Sequence, residues 1–323
     1  MFFLNNGARY CIGQTIPMLQ AHNLTIDDSG TNHNNMIEPD EIVTLVGTLT
    51  NVSTTQATSV SGDIFSYDPI TIITPNAQYP DITPGDSQTC TDCYTVVAPS
   101  TNRSSRHWDI KITEIPQCTG CSNTIYSTHF HIGKSFNDVP PSYIFYKYIE
   151  AMFHWEMTSG CSNLNYCPNT NVARQAMAKF ICNAMNVANP NSCYTFGCSE
   201  IFGDVMAANP FCEYIEALYN AGVVSGCKED PLLYCPSNLV SRQAMAKFVC
   251  LGMEASMPGA CTTFACQEIF TDVLASNFFC SYIEALYNAN IISGCGPSLY
   301  CPTLNVTRGQ MAKFIINAFG LNL

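Results

Sequence analysis

Nineteen cysteines are the residues of this chain with the most chemistry to offer. A cysteine sulfur is a soft metal ligand, a nucleophile or half of a disulfide, and spacing discriminates among these roles. Cys90-Thr91-Asp92-Cys93 and Cys118-Thr119-Gly120-Cys121 are both C-x-x-C pairs. Together they could build a tetrahedral zinc site, or each could close as a local disulfide that pins a turn. The other cysteines favour the disulfides, because so many sulfurs imply an oxidising compartment. A thioredoxin-like role would need a strand–CxxC–helix context, which neither pair has. His129 and His131 fall on one face of a strand without a third ligand, which suits surface residues better than a metal site. A Gly-x-Ser-x-Gly elbow, a P-loop, a His-Glu-x-x-His helix and a dinucleotide fingerprint are all missing from the sequence, so it reads as a non-enzyme without cofactors.

A second set of chemistry-bearing residues recurs. Arg174, Arg242 and Arg308 stand 68 and then 66 residues apart, each opening an Arg-x-x-Met-Ala-Lys-Phe run. Asp138, Asp204 and Asp272 occupy Phe-x-Asp-Val in the same three copies. A guanidinium is a planar donor fork suited to carboxylates, so these six are candidate ligand-binding residues. The elements that must position them follow from periodicity. Tyr214, Ile215, Leu218 and Tyr219 form a helical stripe that Gly222 ends. Met245, Phe248 and Val249 mark a second helix. Between the two lies a loop bounded by Ser-Gly-Cys and Tyr-Cys-Pro. A unit of this kind written three times constrains every other inference.

The ordered set Phe-x-Asp-Val, Tyr-Ile-Glu-Ala-Leu, a glycine-containing turn and Val-x-Arg-x-x-Met-Ala resembles the S-layer homology (SLH) module. The resemblance covers residues 136–323. It implies a pseudo-threefold helical spindle that binds cell-wall polysaccharide, with the motif arginine holding an acidic saccharide between modules. Bacterial variants with extra disulfides and an immunoglobulin-like domain in front look similar too. The match departs at several positions. The motif threonine survives only as Thr307, with Ala173 and Ser241 elsewhere, and the motif glutamate is Ala176, Ala244 and Gln310. Ile144, Pro210 and Phe278 stand near the place of the usual tryptophan.

Ahead of the repeats the signals are β. Ile42–Val46 and Ile70–Thr74 are rich in β-branched residues. Trp108, Ile110 and Ile112 alternate on one face, as do Tyr126, Thr128, Phe130 and Ile132, with Cys118–Cys121 at the hairpin end between them. Short strands with turns every ten residues or so predict an immunoglobulin-like β-sandwich over 41–134. Residues 1–40 predict an extended N-terminal arm. The repeats, with their linkers, then span 135–190, 191–258 and 259–323. The fold class is thus multidomain α and β.

The repeated cysteines suggest their pairing. Cys161 with Cys167, Cys227 with Cys235 and Cys295 with Cys301 sit in equivalent loops. At the junctions Cys182, Cys193, Cys198 and Cys212 recur as Cys250, Cys261, Cys266 and Cys280. Each set of four allows three connectivities, of which 182–193 with 198–212, and 250–261 with 266–280, are favoured. Cys11 is left over, which suggests an intermolecular bond. Asn23, Asn51, Asn102 and Asn305 open N-x-Ser/Thr sequons, candidate glycosylation sites. Acidic loops around Asp27-Asp28 and Glu38-Asp40-Glu41 offer the oxygens that a structural calcium takes.

Bulk composition narrows the partners. Net charge is −12, and the 13 Lys and Arg are scattered, so the clustered cations that displace phosphate counterions are missing and nucleic acid is not expected. Charged residues make up only 12%, which leaves a surface of Asn, Ser, Thr and Tyr. No apolar run approaches a membrane span. Met1–Leu4 is too short for a signal-peptide core, which suggests the mature or ordered part of a longer precursor. The expected function is an extracellular, disulfide-stapled structural subunit that self-assembles into a surface layer or filament, its chief partner being itself. The alternative is a wall-polysaccharide anchor that displays a β domain.

Overall fold

The computed structural model describes residues 16–100, 109–122 and 124–321. Cys11, Asn102 and Trp108 lie outside the described residues. The chain divides into two compact units between Lys134 and Ser135.

The first unit contains β1 (Leu19–Ala21), β2 (Thr25–Asp27), β3 (Ile42–Val46), β4 (Thr48–Asn51), β5 (Ser61–Phe65), β6 (Thr71–Thr74), β7 (Asn76–Gln78), β8 (Ser87–Thr89), β9 (Tyr94–Val97), β10 (Asp109–Gln117) and β11 (Tyr126–His131). They form three antiparallel sheets in the orders β1-β4-β8, β11-β10-β5-β7 and β2-β3-β9-β6. Alternation sets which face is buried: Val43 and Leu45 of β3, Tyr94 and Val96 of β9, and Ile110 and Ile112 of β10 enter one core. The chain changes sheet at Gly47, between β3 and β4, and again at Cys90–Cys93, between β8 and β9. These two crossings hold each other, since the Cys90 amide donates to the Gly47 carbonyl at 3.1 Å. Gly47 must lack a side chain because a Cβ there would collide with the Tyr79 hydroxyl.

The expected arm over 1–40 needs correction within its described part. Leu19–Asn51 pairing ties β1 to β4, and Thr25–Val46 pairing ties β2 to β3. Leu19, Ala21, Leu24 and Ile37 belong to the core. Three-residue strands are too short to show alternation, so their membership comes from pairing with partners distant in sequence.

The second unit contains α1 (Tyr146–His154), α2 (Arg174–Ala188), α3 (Cys212–Asn220), α4 (Arg242–Ser256), α5 (Cys280–Asn288) and α6 (Arg308–Phe319). The short helices end alike: Glu156, Gly222 and Asn290 take left-handed φ values of 54°, 72° and 58°. Among the described residues, no helix is long and apolar enough to cross a membrane. The packing does not follow the order of the repeats. Each short helix lies on the long helix of the preceding copy, α3 on α2 and α5 on α4, and α1 lies on α6. The three long helices also pack on one another. The circle therefore closes between the first copy and the last.

Candidate functional site

At each joint a loop of one copy wraps the start of the preceding copy's long helix. The first amides of a helix have no partner within it. Here the amides of Arg174 and Gln175 donate to the carbonyls of Asn238 and Pro236, at 2.9 and 3.0 Å. Those of Arg242 and Gln243 donate to Leu304 and Pro302, and those of Arg308 and Gly309 to Thr170 and Pro168. Deeper in, three backbone bonds of 2.9 Å form a cycle: Val172 donates to Val306, Val306 to Val240, and Val240 to Val172.

The arginines complete this wrapping. Arg174 Nε donates to the Tyr234 carbonyl, Arg242 Nε to Tyr300 and Arg308 Nε to Tyr166, each at 2.8 Å. In return the tyrosine hydroxyls donate to the carbonyls of Arg174, Arg242 and Arg308, at 2.9, 2.9 and 3.0 Å. Each guanidinium also lies over that tyrosine ring, at 4.6, 4.5 and 4.5 Å, and faces a phenylalanine from the long helix: Phe248, Phe314 or Phe180. Arg242 is buried and adds a bond from Nη2 to the Ser293 carbonyl at 2.8 Å. Burial pulls the pKa of Arg174 and Arg242 below the ordinary value, opposed by Tyr234 and Asp204 in one case and by Tyr300 and Asp272 in the other. Burial also pushes Tyr166, Tyr234 and Tyr300 well up.

The aspartates grip the same loops from behind. Asp204 accepts from the amides of Tyr234 and Cys235, both at 2.7 Å. Asp272 accepts likewise from Tyr300 and Cys301, and Asp138 from Tyr166 and Cys167. Arginine and aspartate thus meet around one loop but come from neighbouring copies. A third repeated carboxylate, on the short helix, takes two donors near the start of its own copy. Glu216 accepts from the amides of Ser199 and Ile201, at 2.7 and 2.8 Å, and Glu284 from Gln267 and Ile269. Glu150 holds the amide and hydroxyl of Ser135. Sequence reasoning missed these glutamates and the loop tyrosines, although both recur in every copy.

Among the described residues nine disulfides close: 90–93, 118–121, 161–167, 182–193, 198–212, 227–235, 250–261, 266–280 and 295–301. The groupings of Cys198 and Cys212 with Glu216, and of Cys266 and Cys280 with Glu284, look like metal sites, but their sulfurs are already bonded to each other. His129 is exposed, whereas His131 is buried with Nδ1 3.0 Å from Asp109. The pair therefore does not present a common open face. In the acidic loops, Asp28 accepts from the amides of Asn34 and Asn35, and Glu38 from the side chains of Asn32 and Asn34, which fixes the loop from within.

One sequon candidate is overturned. Asn51 is fully buried, and its Nδ2 donates to the carbonyls of Thr55 and Ile82, at 2.8 and 2.9 Å. The nitrogen that would carry a glycan is committed inside the β core. Asn23 and Asn305 are exposed.

Residues 269–312, within the third copy, match the S-layer homology domain. An amylopullulanase from Thermoanaerobacterium thermosulfurigenes is 21% identical over 220 residues, 66% of this chain. The chain spans about a tenth (11%) of that curated relative's length. Among solved structures, a fragment of native alpha-2-macroglobulin from Escherichia coli is similar over 76% of this chain and 40% of that one, at 10% identity and a TM-score of 0.33. A conjugative transposon lipoprotein from Bacteroides eggerthii is similar over 36% and 98%, at 7% identity and a TM-score of 0.21. The domain match implies association with the cell surface.

Proposed function

We propose that this protein is a non-catalytic structural subunit of the cell exterior, which self-assembles into a surface layer or filament. In this reading the helical unit is a three-module S-layer homology spindle, and the β unit is an immunoglobulin-like sandwich that it carries. The observation behind the reading is the use made of the motif arginines. Each spends its Nε, the two faces of its guanidinium plane and its backbone on the neighbouring copy, which ties it into the joint. Seven of the nine disulfides fall in the same unit, a density suited to a subunit that must keep its shape outside the cell. Electron microscopy of purified protein over a concentration series tests this: arrays or fibres are expected, and only dispersed monomers at every concentration would overturn it.

One observation favours the wall anchor as a second reading. Phe278 is 67% exposed, Lys247 Nζ sits 4.8 Å from its ring centre, and the neighbouring Asn277–Gln243 bond is 3.0 Å long. An exposed ring beside a cation and two amides has the elements of a saccharide platform. Co-sedimentation with purified cell wall is expected to survive Arg242→Ala if the arginine is structural, and to fall at least tenfold in Phe278→Ala/Lys247→Ala if the platform binds.

A further inference from the structure

The three joints share their backbone wrapping, their arginine–tyrosine pair and their aspartate grip, yet they are not equally secured. Between α2 and α3 the chain is pinned twice, by Cys182–Cys193 at the end of α2 and by Cys198–Cys212 at the start of α3. Between α4 and α5, Cys250–Cys261 and Cys266–Cys280 do the same. The joint between α6 and α1 has no counterpart: Ile316 and Tyr146 stand where Cys250 and Cys280 would repeat. It also lacks the glutamine–asparagine bond of the other two. Gln175 accepts from Asn209 at 3.1 Å and Gln243 from Asn277 at 3.0 Å. The equivalent residues at the third joint are Gly309 and Tyr143. Arg308 Nη2 is buried without a partner, whereas Arg242 Nη2 has one.

The segment that docks on α6 holds together by itself. Asp138 ties the loop amides of Tyr166 and Cys167, Phe136 packs on Phe153 and Tyr166, and Cys161 is bonded to Cys167. Past Thr170 the chain reaches Val172 and then enters α2, which belongs to the neighbouring joint. Ala173 gives that helix no side-chain cap, whereas Ser241 and Thr307 cap α4 and α6. A self-contained piece, a seat without covalent staples and an uncapped helix start meet at one place.

We infer that the α6 seat also accepts residues 135–170 of a second copy of this chain, exchanged through a hinge at 171–173. The contacts formed are those of the closed ring except at the hinge, so exchange costs hinge rearrangement and the Val172 bonds to Val306 and Val240 that must open there. Within one chain the tether gives a high effective concentration, which keeps dilute protein closed. Packed copies compete with that tether. Each copy offers one donor segment and one seat, so the contact is head-to-tail and either closes as a pair or propagates as a fibre. This inference rests on the self-assembly reading and supplies its route.

The test uses two full-length variants that each block one half of the exchange. Gly309→Trp blocks the seat, because even a Cβ there meets Phe145 Cδ2 at 2.9 Å and the Tyr143 hydroxyl at 3.0 Å, and an indole is far larger than the glutamine of the other two copies. Tyr166→Ala removes the ring and hydroxyl that the donor brings to Arg308. Hydrogen exchange at α4 and α5, unchanged from wild type, verifies that the remaining ring is folded; Gly309→Ala is the milder seat variant. Each variant alone is expected to stay monomeric in light scattering, and a one-to-one mixture to double in mass, since one retains the donor and the other the seat. Masses that stay monomeric in the mixture overturn the exchange. Wild-type arrays that persist in both variants also overturn it, while leaving self-assembly standing. Wild-type protein that forms no arrays removes self-assembly itself, a separate readout from the mixture.

Discussion

In the β unit, Glu114 is buried with its Oε1 accepting from two tyrosine hydroxyls, Tyr79 at 2.8 Å and Tyr94 at 2.6 Å, while Oε2 has no partner. In the helical unit, Glu216 and Glu284 are also buried, but both oxygens of each accept backbone amides. The difference lies in what surrounds the carboxylates. A continuous hydrophobic core encloses Glu114, and desolvation disfavours its charged form. The short helical segments instead organise themselves around their carboxylates. One unit keeps an acid with a single satisfied oxygen inside its core; the other meets both oxygens of its repeated acids with backbone amides.

Reduction draws that contrast most sharply. Seven disulfides staple the helical unit across separations of 6 to 14 residues. Each such bond contributes roughly 2–3 kcal/mol in the chain-entropy model, and together they rival the whole stability of a typical domain, about 5–15 kcal/mol. The β unit has two, each spanning 3 residues. Full reduction is therefore expected to unfold the helical unit while the β unit keeps its strands. Loss of helical circular dichroism with retained strand signal checks this; loss of both together would mean that the β core also depends on its turns.

The second largest effect concerns the repeated glutamates. Glu216→Ala leaves the amides of Ser199 and Ile201 without their acceptor and removes two charge-assisted bonds, each worth about 1.5–3 kcal/mol. A loss of about 3 kcal/mol in denaturant unfolding of the helical unit is expected, with the β transition unmoved. Glu284→Ala should match it, since the two sites have the same donors.

How much of this was legible in the sequence varies with the range of each interaction. The long helices could be read from the spacing of Met245, Phe248 and Val249, because a helix is a local object. The arginine roles could not, because Arg174 finds its partner in Tyr234 of the next copy. A repeat read as a unit suggests that its parts bind one another, whereas the packing is displaced by half a repeat. β1 and β2 were hidden because strands of three residues carry no period. Glu114 was in view all along: it shares strand parity with Ile110 and Ile112, and an acid on that face is itself the signal.

The acid in the β core predicts a pH dependence for that unit. Burial raises the pKa of Glu114, with the two tyrosine hydroxyls opposing the shift. A carboxyl whose folded pKa exceeds its unfolded value binds more protons folded than unfolded. Its contribution is fully present below the unfolded pKa of about 4.3 and is lost as pH rises through the folded value. The β transition is thus expected to weaken from mildly acidic towards neutral pH. Glu114→Gln, which keeps an acceptor for the tyrosines, should flatten that profile; an unchanged slope would assign the dependence to other groups.

The smallest effect lies inside the helical unit, where the copies act as their own controls. Thr307 caps α6 and shares a reciprocal box with Gln310, Ser241 caps α4 by accepting from Ala244, and Ala173 offers α2 nothing. The worn letters of the repeat thus fall on helix-cap positions, and restoring them should act on stability. Ala173→Thr with Ala176→Gln is expected to add about 1 kcal/mol to the helical transition, with wall binding unchanged. Because Ala173 lies in the hinge proposed for exchange, the same double variant should also shift wild-type assembly towards the closed monomer. A gain in stability without that shift would count against the hinge at 171–173.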